Sequence, residues 1–431
     1  MTEIQKKLSN SFYALLSLPA TAMGFALSIQ ISALSWLLTT KYDLKIDEVG
    51  FVWAAGPLAG IFGQVIIGLI SDKVWFWGGR RRPFVLIGGV LAAGMLMALP
   101  NIDVINERMG IGSLLAVAIA VALTLDLAIN ISFNPTRSII ADVTPEGNPR
   151  TKGYTWMQTI SGFFGVFAYV VGATLGNYIL IYVGVLLVFL FSFVPMFFIT
   201  ENKDLNNDID AATAKKNKSA TEWGQLFKIY FAHGFSWIGI QTMFVYIIAY
   251  IQQKFFGGIT DQSIINAESG QIIAISFAIL NTVGFILPAF VLEPIVEKIG
   301  RVKTHLSCVA IMAVGYFGIV ALGSTPMAMY MFMAVAGIGW AAVVSLPFAI
   351  MTEKIDQSRT GFFMGIFNLS VVIPQLLVSL AIGTIIKNSD DKNIIFIISG
   401  VSLALSAALW TMVKENRAAK NMNAGAPPAS H

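Results

Sequence analysis

LLAVAIAVALTLDLAINISFNPTRSIIAD, residues 114–142, decides the reading of this chain. The stretch is nearly all apolar and long enough to cross a bilayer, which takes about 20 such residues. Asp126 nevertheless sits near its middle, the one acid well inside any apolar segment of the sequence. A carboxylate at bilayer depth costs roughly 2.5–3.5 kcal/mol on insertion scales, so acids there are rare and tend to be functional. At about 100° per helical residue, Asn130, Asn134 and Arg137 fall on nearly the same face as Asp126. One helix face thus carries acid, amide, amide and base. The plainer alternative is an acid that only hydrogen-bonds across a helix bundle.

Composition extends that reading to the whole chain. Of 431 residues, 56% are hydrophobic and only 12% charged, against about 25% charged in soluble domains. The expected class is an all-α membrane protein. Twelve apolar stretches qualify as spans: 11–39, 49–70, 84–99, 113–137, 155–175, 178–199, 226–251, 270–292, 306–322, 327–351, 361–386 and 394–413. Gly176-Asn177 and the run 323–326 divide stretches too long for one helix. The first apolar run, 8–40, is far longer than the core of a cleaved signal peptide and is expected to be the first span.

Lys and Arg set the orientation, because they concentrate in cytoplasmic loops. With the N-terminus cytoplasmic, 22 of the 28 fall inside and 6 outside. That asymmetry supports twelve helices with both termini cytoplasmic, and it accounts for the net charge of +4 without invoking nucleic acid. The polar stretch 201–224 reads as a cytoplasmic linker between two six-helix bundles, 1–200 and 225–416, with 417–431 a disordered tail. A weak internal repeat agrees. Asp72-Lys73 and Gly79-Arg80-Arg81-Arg82 in the first half correspond to Glu297-Lys298 and Gly300-Arg301 in the second. Pro135, Asp142, Arg150 and Gly153 correspond to Pro347, Glu353, Arg359 and Gly361.

The loop GLISDKVWFWGGRRRPFVLIG, residues 68–88, puts an acid at the end of one helix against arginines entering the next. Such groups can pair in one state and separate in another. Gly68, Asp72, Lys73 and the following Gly-Arg-Arg resemble the signature loop of the major facilitator superfamily. The six-residue spacer before Gly79 and the Arg-Arg-Arg-Pro-Phe run resemble a narrower group, the plant sucrose transporters and bacterial glycoside–cation symporters. Gly56-Pro57, Gly60 and Gln64, Asp126-Leu127-Ala128, Trp237-Ile238-Gly239, Gly339-Trp340, Leu346-Pro347-Phe348, 364–368 and Pro374-Gln375 continue the likeness through both halves.

That resemblance implies a proton-coupled sugar symporter, with the acid at Asp126 as the proton-coupling residue at the sugar site. A buried carboxyl holds its proton to higher pH than one in water, and a neighbouring cation opposes this. Ser28 stands where the plant proteins carry a glutamine, and 246–250 lacks the acids they carry in the seventh span. The substrate implied is therefore an α-glucoside, with the maltose type favoured over strict sucrose. A sodium-coupled version, a facilitator and a sensor on the same fold are the alternatives.

Sugars are held by amides, acids and aromatic faces. The candidate substrate residues are Asp126, Asn130, Gln30, Gln64, Gln158, Trp237, Gln241, Asn368 and Gln375, with Trp156, Asn281 and Trp340 behind them. The candidate gating ion network is Asp72, Arg80, Arg81, Arg82, Arg137, Asp142, Glu353 and Arg359. With one cysteine, Cys308, and three scattered histidines, neither a disulfide framework nor a metal site is expected. The absence of a GxxxxGK[ST] pattern argues against ATP-driven transport. A polytopic enzyme needs more acids or a His–acid pair than the spans offer. The expected cofactor is none beyond the co-transported proton. The expected partners are a small-molecule sugar and the lipid bilayer of a bacterial inner or plasma membrane, and the chain is expected to act as a monomer.

Overall fold

The computed structural model describes residues 5, 7–60, 70, 74–144, 148–201, 221–287, 291–355 and 360–415. Within them the chain is helical, and the paired extended residues are Phe76 and Gly79, joined by an isolated bridge. Ten helices among the described residues are long and apolar enough to cross a membrane. A further apolar helix, Ile394–Trp410, is shorter. In chain order the principal helices are α1 (Asn10–Ile29), α2 (Ile46–Trp53), α3 (Arg82–Ala98), α4 (Leu114–Val143), α5 (Asn148–Leu175), α6 (Asn177–Phe193), α7 (Trp223–Phe256), α8 (Gln262–Leu287), α9 (Arg301–Leu322), α10 (Pro326–Val343), α11 (Thr360–Leu377) and α12 (Ile394–Trp410).

Local chemistry explains where these helices begin and end. Ser9, Ser113 and Thr325 accept hydrogen bonds from the backbone N–H three residues on, capping α1, α4 and α10. Gly176 separates α5 from α6 with φ 89°, a conformation side chains rarely adopt. The span expected at 327–351 is present as Pro326–Met351, but it is interrupted: α10 stops at Val343 and a short helix, Leu346–Thr352, follows with Pro347 in its first turn. Proline has no N–H to give residue 343, so the break falls there. In α4 the helix instead continues through Pro135.

Two helices change pitch. α1 runs into a π-helical turn, Gln30–Leu34, before Ser35–Thr40, and α11 runs into another, Val378–Ile382, before Gly383–Asn388. Such turns are uncommon and often mark functional positions.

Packing fixes the layout. α1 lies on α5, α3 on α4, α7 on α12, and α9 on α10 and α12, while α5 meets α8 across the two halves of the chain. Without a strong hydrophobic force inside lipid, helices associate through small residues that allow close approach. A Cβ on Gly88 would lie 2.3 Å from Ser132 Oγ, and one on Gly239 would lie 2.6 Å from the Ser399 carbonyl. The α5–α8 pair runs antiparallel: Gly162 meets Phe285, while Gly172 meets Ala274. Following the chain, Asn10, Arg82, Trp223 and Arg301 open helices at one end, here the near end. The turns after Thr40, Leu175, Phe256 and Asn388 lie at the opposite, far end.

The far end is where the halves are tied. Ser35 Oγ donates to Val245 O at 2.9 Å, Trp36 Nε1 to Asn266 O at 2.5 Å, and Gln271 Nε2 to Ala173 O at 3.1 Å. Lys387 Nζ pairs with Asp47 at 2.7 Å. α2 packs directly on the π turn of residues 378–382, where Gly50 approaches the Ser379 carbonyl.

Candidate functional site

Asp126 lies in the middle of α4 and is 9% exposed, turned into the protein rather than toward lipid. Gln30, the first residue of the π turn in α1, donates Nε2–H to Asp126 Oδ1 at 3.1 Å. Gly56 leaves room for the carboxyl; a Cβ there would lie 3.3 Å from Oδ2. Asn130 is also buried and donates Nδ2–H back to the Asp126 carbonyl at 2.8 Å. The residues 55–60 that bring Gly56 to the acid also bring Gly60 to the second half, where a Cβ on it would lie 3.8 Å from Val372. The acid therefore sits one helix away from the seam between the halves.

A second line of polar and aromatic contacts crosses that seam. Two residues before Gln30, Ser28 lies beside the Tyr169 hydroxyl, which also meets Asn281 of α8. Asn281 Oδ1 accepts the Trp340 indole N–H at 3.2 Å. Trp340 meets Trp237 edge-on, with ring centroids 6.2 Å apart. Trp237 Nε1 in turn donates to His233 Nε2 at 3.0 Å, and His233 stacks on Phe367. Nearby, Gln375 Nε2 donates to Gln241 Oε1 at 3.3 Å. The arrangement offers one carboxyl, several amides and two indole faces to a hydroxyl-rich ligand.

The sequence-based candidates thus fall into two groups. Asp126, Gln30 and Asn130 are brought together in the first half, and Trp237, Gln241 and Gln375 in the second. Asn368 is half-buried, with no hydrogen bond among the described residues. Gln158 is exposed; at helical spacing it shares the face of α5 that carries Gly162 and Tyr169, the face packed on α8. Gln64, Asp72 and Arg359 lie outside the described residues. Tyr169 and His233 were not among the candidates. A tyrosine in an aromatic-rich span and a histidine near a span end carry no distinguishing spacing.

Among the described residues, the expected ion network is seen in two parts. Arg80 Nη2 and Arg81 Nε clasp Asp142 at 3.1 and 3.2 Å. Arg82 contributes its backbone N–H to Glu201 at 2.8 Å. Arg137 stays out of this network among the described residues; its guanidinium lies 4.1 Å from the Phe133 ring centroid. The five residues from Arg137 to Asp142 turn a helix by about 140°, so the two side chains leave on different faces. Glu353 pairs with Arg301.

Two acids close this arrangement with an internal symmetry. Glu201 accepts the backbone N–H groups of Arg80, Arg81 and Arg82, at the start of α3. Glu415 accepts those of Arg301 and Val302, at the start of α9. A carboxylate at a helix N-terminus satisfies donors with no intrahelical partner and favours the dipole. Each half thus ends on an acid that caps its third helix, while Asp142 and Glu353 pair with the arginines there. A signal was available: one Glu follows the last apolar run of each half.

The comparisons with known proteins bear on the family and the fold. The family model for the Major Facilitator Superfamily matches residues 16–379 and 242–427. A sucrose transport protein of Arabidopsis thaliana is 24% identical over 433 residues, covering 84% of this chain and 82% of that protein. A general alpha-glucoside permease of Schizosaccharomyces pombe is 28% identical over 178 residues, covering 36% of this chain and 31% of the permease. Among solved structures, a D-xylose-proton symporter superposes with a TM-score of 0.70 at 16% identity, covering 94% of this chain and 98% of that one.

Proposed function

The chain belongs to the Major Facilitator Superfamily, and we propose that it is a proton-coupled symporter importing an α-glucoside disaccharide, of maltose or sucrose type, by alternating access. One observation carries the proposal. The single acid deep in the spans is buried, is held by one amide donor from α1, and lies beside the seam across which the halves meet. A carboxyl so placed can take a proton in one arrangement of the halves and give it up in another. The amides and indoles across the seam supply the partners that sugar hydroxyls and ring faces require. The sucrose transport protein and alpha-glucoside permease named above support the substrate class.

The full topology belongs to the same reading. Twelve spans form two six-helix bundles, 1–200 and 225–416, joined by 201–224. The architecture is that of parallel repeats with a site near the midplane. The near end is cytoplasmic, because Arg80–Arg82, Lys152, Arg301, Lys303 and Lys354 gather there. Arg137, exposed although it lies within α4, shares at helical spacing the face that carries Asp126. A far end tied shut suits an arrangement that opens toward the cytoplasm. One chain contains the whole pathway, so the unit is a monomer in a bacterial inner or plasma membrane. No cofactor takes part beyond the proton.

The test is uptake of labelled maltose and sucrose by the purified protein in liposomes with an imposed proton gradient. Accumulation that collapses with a protonophore is expected. Uptake that follows sodium and ignores pH would assign the coupling to sodium instead. Binding without flux would make the protein a sensor.

A further inference from the structure

A second cavity opens at the far end, away from Asp126. Its volume is about 460 Å3, within the roughly 300–1,000 Å3 typical of small-molecule sites. Residues 172–178 of the first half form one wall, with Trp36, and residues 263–271 of the second half form the other. Asn177 carries the argument. It lines the cavity, is only 4% exposed, and neither its Oδ1 nor its Nδ2 has a hydrogen-bond partner among the described residues. A buried amide left without partners is destabilising, so such groups normally have a partner. Gly270 packs closely beside it; a Cβ there would lie 2.8 Å from both Asn177 Nδ2 and Trp36 Nε1, so no larger residue fits between these two cavity-lining side chains.

The lining chemistry selects the ligand. Asn177 offers both donors and an acceptor, which suits a hydroxyl group that does both. Trp36 and Tyr178 sit edge to face, centroids 5.5 Å apart, and supply aromatic surface. Glu268 adds a carboxylate acceptor at the mouth, and no Lys or Arg lines the cavity, which disfavours anions. We propose that this cavity is a second binding site, for a neutral hydroxyl-rich molecule such as a sugar or polyol. It bridges the two halves at the far end, separately from the site at Asp126. A ligand there contacts both walls at once and therefore favours the arrangement in which the far end is closed. This last consequence rests on the transport reading; the binding itself does not.

The test uses the full-length protein with Cys308 replaced by Ala and Ala267, an exposed lining residue, replaced by Cys. The protein is purified in a detergent without a sugar headgroup. The rate at which a small maleimide alkylates position 267 is followed with and without maltose, sucrose or glycerol. At ten times its dissociation constant a ligand leaves about one site in eleven empty, so labelling should slow about tenfold. Adding Asn177→Leu, or the smaller Asn177→Ala, should abolish the protection, with gel filtration confirming a folded chain. Adding Asp126→Asn should leave it intact. Protection by none of the three compounds overturns the proposal. Protection that survives both Asn177 substitutions, or that vanishes with Asp126→Asn, overturns it too, because the ligand would then act from the central site. Failure of transport in liposomes with protection intact would sink the symport reading and leave this site standing.

Discussion

Gly50→Ala isolates the contact on which far-end closure depends. Gly50 lies in α2, and its missing Cβ would stand 2.3 Å from the Ser379 carbonyl oxygen and 2.6 Å from the Tyr246 hydroxyl. Ordinary van der Waals contact begins near 3.4 Å, so the added methyl must push α2 and the π turn apart by about 1 Å. The nearer obstacle is backbone, which cannot swing away. Overpacking of this kind costs about 1–3 kcal/mol. The cost falls only on the state in which α2 meets residues 378–382, and converts to roughly a 5–150-fold shift toward the far-end-open state. Within α2 itself the change removes a helical glycine, which favours the helix by up to about 1 kcal/mol. Thermal stability and conformational balance should therefore move differently. Spin labels at Lys45 and Asn388, both exposed near this contact, report the separation by pulsed electron resonance in a Cys308→Ala background. The parent should show mainly short distances, and Gly50→Ala a larger long-distance population. Gly24→Ala is the control, since nothing lies within 4 Å of a Cβ there. Unchanged distances in a folded Gly50→Ala protein would refute the reasoning.

Other expectations follow from the same contacts. Lys387→Ala should shift the balance by less than about 1 kcal/mol, because the Lys387–Asp47 pair is substantially exposed, 40% and 20%. Partial burial raises the Asp47 carboxyl pKa, but the hydrogen bond from Lys387 and its charge more than offset this and hold it below its ordinary 3.8. The latch is thus fully present above that value and is lost only as pH falls through the depressed one. Label distances in the parent should not report its loss between pH 5 and 8, and loss of the latch in that window would contradict the assignment. Glu201→Ala should lower the unfolding temperature measurably, since each charged hydrogen bond to the Arg80–Arg82 amides is worth about 1.5–3 kcal/mol. An unchanged melting curve would count against the capping role. Trp340→Phe keeps the ring packed on Phe244 but removes the N–H to Asn281. Sugar affinity should fall by about 0.5–1.5 kcal/mol in equilibrium binding, and no change would take Trp340 out of the site.

Much of this molecule is legible in its sequence, for identifiable reasons. Apolar runs must match bilayer thickness, so the stretch expected at 226–251 lies within α7 and the one at 113–137 runs from the Ser113 cap into α4. The acid at 126 stands out because its surroundings are uniformly apolar. Its partner does not. Gln30 is 96 residues away and meets Asp126 only through helix packing. The π turns leave no mark in composition, since they rearrange hydrogen bonds rather than residue types. The break before Pro347 was harder to read than the proline suggests, because Pro135, Pro19 and Pro374 all sit inside continuous helices. The capping acids Glu201 and Glu415 look like ordinary loop charges until the folded chain brings the end of each half back to the start of its third helix. That Arg137 and Asp142 leave α4 on different faces follows from helical phase, which the sequence did contain.

The most direct measurement is sugar-driven proton movement in liposomes containing either the parent or Asp126→Asn. With the parent, adding maltose or sucrose outside should alkalinise the external medium as sugar enters. Asp126→Asn should still exchange labelled for unlabelled sugar, yet move no protons and build no gradient. Uphill sugar accumulation by Asp126→Asn at every pH would contradict the account at its root.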